Sequence, residues 1–206
     1  VNTIVDFRSY TTACGIPTVV FVDMQLEYLA TPRLIAIPEI QGALDNCRKL
    51  LAHARAHGLP IGFVRWLDRA TPFFNRATPF SGWIEGFEPQ RNEMIFERNR
   101  PSCYSSEGFA EFMECGDKQV VLAGFAGESA CLSTMVDAFH RKHRITYLKD
   151  ASASHRLADM APDDVHNAVA RIAALYGDVV GTDRWIGLRA RHRAFNGDMD
   201  GTLAGC

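Results

Sequence analysis

From Pro17 to Asp23 the chain reads Pro-Thr-Val-Val-Phe-Val-Asp, apolar without alternation and closed by a carboxylate. A strand apolar on both sides must be covered on both faces, the condition of a central strand in a parallel sheet. Pro60–Trp66 repeats the pattern. Between the two, Ile37, Ile40, Leu44, Cys47, Leu50, Leu51 and Ala54 recur at three- and four-residue spacing, with Pro38 at the start and Gly58 at the stop. This is an amphipathic helix with well-marked ends.

Further strands are predicted at Glu93–Phe96, Gln119–Ala123, Ile145–Leu148 and Asp178–Gly181. Helices are predicted at Phe109–Met113, from Ala130 to about Lys142, and after Pro162 with Val165, Ala168, Val169, Ile172 and Leu175 on one face. Strands alternating with helices imply right-handed crossovers. The fold class is α/β, a three-layer, Rossmann-like doubly wound sheet of about six mostly parallel strands with helices on both faces. Residues 67–92, rich in Pro and aromatic side chains, read as one long loop, a feature that usually serves a site or an interface.

A chain of 206 residues can bury roughly 70% of its unfolded surface, so its core needs no disulfide or metal. We expect a single domain over 1–186 and a polar tail over 187–206, where arginines cluster from Arg184 to Arg193. Lys plus Arg is 22 against 24 for Asp plus Glu, so nothing favours a nucleic acid or a membrane surface. No apolar stretch is long enough to span a bilayer. The six cysteines show no zinc-type spacing, and no charged segment followed by an apolar run marks a signal peptide. The expectation is a cytoplasmic protein with free thiols.

In parallel sheets the chemistry collects at the C-terminal ends of the strands. Three such ends are chemically loaded: Asp23 with Met24 and Gln25 after the first strand, Glu97 to Tyr104 with Arg98 and Arg100 after the third, and Gly124 to Cys131 after the fourth. Cys131 lies near the start of a helix, where N–H groups and the helix dipole favour a thiolate. A carboxylate, a cation and a thiol meeting at one sheet edge would make a nucleophilic hydrolase, with turn N–H groups stabilising the oxyanion.

These stretches resemble the isochorismatase-like hydrolase superfamily, which includes the cysteine hydrolases, over about residues 17–186. Val22-Asp23-Met24-Gln25 is similar to the D-x-Q segment with its catalytic Asp, and Ser81-Gly82-Trp83-Ile84 to G-W-x-I. Arg98 to Tyr104 matches K-x-x-x-S-A-F with Arg98 in place of the catalytic Lys. Gly124 to Ala138 matches G-x-x-T-x-x-C-V-x-x-T-x-x-D-A without a gap, and Asp150-Ala151 the D-A after the fifth strand. The resemblance implies Asp23 as acid/base and Arg98 as the group that orients it. It also implies a cis Phe125–Ala126 peptide, whose Ala126 N–H joins that of Ala130 in an anion site. Gln25, Phe73, Phe74, Trp83 and Tyr104 are then expected around a small, flat or ring-bearing substrate.

The departures matter as much. In the ungapped register the nucleophilic Cys falls on Ala130, while Cys131, spaced with Met135 and Ala138, faces the sheet. Three readings stay open: a core Cys131, a local bulge that presents it to the site, or a Cys→Ala change at Ala130. True isochorismatases resemble this turn, with a small residue in the nucleophile slot, and cleave a vinyl ether with the Asp and no thiol. Arg98 stays charged but cannot give up a proton as Lys can. The Arg65-Trp66-Leu67-Asp68-Arg69 stretch lacks the His that metal-bearing nicotinamidases place there, so no metal and no cofactor is expected. The expectation is a small-molecule hydrolase, a homodimer or homotetramer, driven by Asp23. An amidase using Cys131 and a non-catalytic binding protein on the same fold are the alternatives.

Overall fold

The computed structural model describes residues 16–115 and 119–189; Cys14, Cys206 and the expected tail beyond Arg189 lie outside them. Six strands form one sheet: β1 (Thr18–Val22), β2 (Ile61–Trp66), β3 (Met94–Arg98), β4 (Gln119–Gly124), β5 (Arg144–Ser152) and β6 (Asp178–Val180). Their order is β3-β2-β1-β4-β5-β6, and every neighbouring pair is parallel. The order reverses between β1 and β4, the point where a doubly wound sheet opens a crevice for ligands.

The unalternating runs are explained by the two faces. Val19 and Phe21 pack into one core with Leu44, Cys47 and Leu51 of α1 (Gln41–Ala56) and with Trp185. Val20 and Val22 pack into the other, with Phe109 and Phe112 of α2 (Glu107–Glu114) and Met135 and Ala138 of α3 (Leu132–His140). Each fully buried Val or Phe of this kind contributes about 1.5–3 kcal/mol, so β1 is held from both sides. The seven apolar positions read from the sequence around α1 are all buried.

Three elements depart from expectation. β5 runs five residues beyond Ile145–Leu148 at its two ends together, because a register shift between Leu122 and Gly124 lets it bulge outward at the polar Lys149-Asp150 and rejoin β4 at Ser152. In α4 (Pro162–Ala173) the buried stripe is Val165, Val169 and Ala173, so Ile172 and Leu175 are exposed rather than in the core. Residues 182–189 are helical and bury Trp185 beside His53, so Gly187 does not begin the tail.

Gly124 ends β4 at φ +119°, and a Cβ there would lie 2.1 Å from the Val22 carbonyl oxygen. Only glycine lets β1 and β4 come together at this point. Gly124→Ala should therefore cost about 3 kcal/mol or more, read as a lower urea midpoint in equilibrium unfolding.

Candidate active site

Asp23 follows β1 directly. Its N–H donates to the Val64 carbonyl (2.7 Å), and its own carbonyl accepts from the Gln25 N–H (2.7 Å), which closes a tight turn. The residue sits at φ +49°, a left-handed backbone that Asp tolerates better than most side chains. Its carboxylate is completely buried and ion-paired with Arg98, the last residue of β3, whose side chain is 1% exposed. Arg98 also donates to the Arg100 carbonyl and lays its guanidinium 4.7 Å over the Trp66 indole. Burial pushes the Asp23 carboxyl up to about 6; Arg98, the Trp66 backbone and the Tyr28 hydroxyl pull against that rise. Among the described residues Asp23 Oδ1 has no hydrogen-bond partner.

A cleft of about 310 Å³ opens over this pair. Tyr28, Trp66, Phe73 and Phe74 give it aromatic walls, and Arg98, Ala126, Glu128, Ser129 and His155 supply its polar groups. Asp23 does not line the cleft itself, but its ion-pair partner Arg98 does. Phe74 is fixed by its N–H donating to buried Glu27 (3.1 Å), which is also ion-paired with Arg33. Arg33 in turn donates to the Pro72 carbonyl (2.7 Å), so the segments on either side of the cleft are tied together.

Beyond β4 the Phe125–Ala126 peptide is cis, and the chain enters α3 through a π turn over Gly127–Cys131. The Cys131 N–H closes that turn on the Ala126 carbonyl (3.2 Å). Among the described residues no acceptor takes the Ala126 N–H. The Glu128 carboxylate meets His155 Nδ1 at 2.6 Å, and His155 Nε2 lies 2.9 Å from the Ile35 carbonyl oxygen. Both ring nitrogens face oxygen atoms, an arrangement that favours the doubly protonated ring. Burial alone would lower the His155 value, but the Glu128 carboxylate and the Ile35 carbonyl raise it above the ordinary range. Burial pushes Glu128 up, and His155, its own backbone N–H and Ser154 outweigh that and hold it below the usual Glu range.

The isochorismatase domain family matches residues 17–184. The chain belongs to the isochorismatase family. Members of this family are hydrolases, and the family leaves the reaction subclass of this one open. An isochorismatase from Pseudomonas putida KT2440 is similar at 27% identity, with a TM-score of 0.75 over 82% of this chain and 89% of that one. A cysteine hydrolase from Pseudomonas syringae pv. phaseolicola 1448A shares the fold at 21% identity and a TM-score of 0.75, over 84% and 92% of the two chains. N-carbamoylsarcosine amidase from Thermoplasma acidophilum does so at 22% and 0.64, over 81% and 96%. No curated protein matches the chain at a significant level.

The expected site residues divide between the cleft and the core. Arg98, Ala126, Phe73 and Phe74 line the cleft, Asp23 pairs with Arg98 behind it, and Phe125 is buried with its ring 5.8 Å from that of Tyr28. Gln25 does not face the cleft: its amide donates to the Trp66 and Ser81 carbonyls and accepts from the Trp66 N–H, all at 2.9 Å, clamping β2 to the loop. Trp83 packs on Phe63 under the Arg65 guanidinium, and Tyr104 bonds His143 (2.8 Å) in the second core; neither lines the cleft. Ala130 and Cys131 are both buried and also off the cleft. The Cys131 thiol donates to the Gly124 carbonyl (3.5 Å) and sits 3.9 Å from Ser152 Oγ, with its pKa raised well above the usual thiol value by burial.

Tyr28, Trp66, Glu128, Ser129 and His155 were not anticipated. Trp66 ends β2 and His155 follows β5, so the strand-end rule points to both once those ends are known. The His155–Glu128 pair has a pH signature. Its stability is fully present between the ordinary Glu value near 4.5 and the ordinary His value near 6.5; it is lost as pH rises through the raised His155 value and as pH falls through the lowered Glu128 value. NMR titration should place His155 above 6.5, and Glu128→Gln should bring it down.

Proposed function

We propose that this isochorismatase-family protein hydrolyses a small, ring-bearing substrate with Asp23 as proton donor and without a thiol. One observation carries the reading: a wholly buried carboxyl, pushed up to about 6, has one oxygen on Arg98, a residue that lines a cleft with aromatic walls, and the other without a hydrogen-bond partner among the described residues. A carboxyl with that value keeps a useful fraction of its proton near neutrality and is matched to general-acid work. Arg98 keeps the carboxyl oriented, and the unclaimed Ala126 N–H supplies a donor for charge building on a substrate oxygen.

Cys131 is poorly suited to be the nucleophile. It is buried, its S–H is engaged by a backbone carbonyl, and its thiolate is disfavoured by desolvation. Water is then the attacking group. The bond class that best fits a proton donor with no covalent nucleophile is a vinyl ether: protonation of its terminal carbon leaves an oxocarbenium that water can attack.

The test uses two probes, isochorismate as the vinyl ether and N-carbamoylsarcosine as the amide. Isochorismate should turn over, with kcat falling as pH rises through about 6, where Asp23 loses its proton. Asp23→Asn should lose about 10²–10⁴-fold in kcat. Cys131→Ser, and wild type treated with iodoacetamide, should keep their activity. Turnover of the amide alone, abolished by Cys131→Ser, would replace this reading with a cysteine amidase. Binding of either probe without turnover would leave a binding protein.

A further inference from the structure

The cleft beside the Asp23–Arg98 pair is lined by a carboxylate of its own, Glu128, whose surroundings are the reverse of those of Asp23. Glu128 enters from the π turn after β4, one oxygen is fastened to the His155 ring at 2.6 Å, and Oε2 is buried without a hydrogen-bond partner among the described residues. His155 is itself anchored by the Ile35 carbonyl, so the carboxylate is held from a fixed point. Tyr28 lines the same cleft, with its ring 6.0 Å from that of His155. Burial dominates at Asp23 and raises it to about 6, whereas at Glu128 the contacts with His155, its own backbone and Ser154 together outweigh burial and hold it below the usual Glu range. Two carboxyls driven apart in this way, one lining the cleft and one behind its Arg98, divide into an acid and a base.

We infer that Glu128 is the general base that takes the proton from the attacking water, with His155 as the residue that positions it. The inference rests on the Asp23 reading above, and a thiol-free hydrolase has need of such a group. Asp23 gives its proton to the terminal carbon of the vinyl ether. The water oxygen bonds to the oxocarbenium carbon as Glu128 Oε2 takes a water proton. In the collapse that follows, the bond from that carbon to the leaving oxygen breaks and its electron pair goes to the leaving oxygen. Glu128 returns its proton to that oxygen, and Asp23 recovers one from the new hydroxyl as it becomes a carbonyl. Both carboxyl groups end as they began, and water is the only co-reactant.

The experiment measures kcat and KM on isochorismate for wild type, Asp23→Asn, Glu128→Ala and Glu128→Gln, with and without sodium formate. Glu128→Ala and Glu128→Gln should each lose about 10²–10⁴-fold in kcat with little change in KM. Formate, a carboxylate small enough for the space left, should restore part of the Glu128→Ala rate and none of the Glu128→Gln rate. Wild-type-like kcat in Glu128→Gln, beside an inactive Asp23→Asn, overturns the base assignment and leaves Asp23 standing. Loss in Glu128→Ala without formate rescue, accompanied by a lower melting temperature, assigns Glu128 to holding the turn and also overturns it. An Asp23→Asn variant as active as wild type removes the underlying reading instead.

Discussion

The buried ion pair between Asp23 and Arg98 is the interaction on which the cleft depends. Removing two charges from water costs several kcal/mol per ion, and their attraction offsets this only when the geometry is tightly held. Here the holding is a chain of contacts. Gln25 clamps the Trp66 backbone from both sides, the Trp66 indole carries the Arg98 guanidinium, and Arg98 reaches Asp23 with one arm and the Arg100 carbonyl with the other. A lysine at this position has no planar fork to divide between two acceptors and no flat face to lay on an indole. Arg98 is therefore suited to orienting Asp23 as a permanent cation, with the proton left to the carboxyl.

Topology explains why so few residues are needed to assemble the rest. With strand order β3-β2-β1-β4-β5-β6, the ends of β1 and β4 are adjacent at the reversal point. Arg98 arrives from β3 and His155 from beyond β5, on either side of that point. Gly124, facing Val22 in the register, lets the two central strands close up before the chain turns through Phe125 and Ala126. The polar groups of the cleft thus come from strand ends as much as 57 residues apart in sequence (Arg98 to His155) but only a few strand spacings apart in the sheet.

Most of the fold was legible because burial writes itself into apolar spacing. β1, β2 and α1 read correctly from period and end signals alone, whereas the far half of β5 was hidden by Lys149 and Asp150, which a bulge turns outward. In the site, Asp23 and Arg98 were legible as charged residues at strand ends. Gln25 and Trp83 were misread, since motif position says that a residue is near the site but not which way it faces; Gln25 is fully engaged by backbone groups. Glu128 and His155 were invisible for a different reason. Each is an ordinary polar residue on its own, and their meaning comes from a contact across 27 residues that only the end of β5 beside the π turn creates.

Cys131 shows how two physical tendencies compete at one position. Its place at a helix start argues for a thiolate, because the dipole and free N–H groups favour negative charge there. That argument holds for a thiol that water or a cation can reach. The π turn instead points Cys131 into the core with Met135 and Ala138, where the Gly124 carbonyl accepts its proton and desolvation opposes the charged form. Burial opposes the dipole here and raises the thiol well above its usual value. The neighbouring Ala130 adds only a methyl group to the buried side of the turn, while Ser129 lines the cleft. What it offers the cleft is the Ala126 amide and the Glu128 carboxylate, and these suit a reaction run by moving protons to and from water.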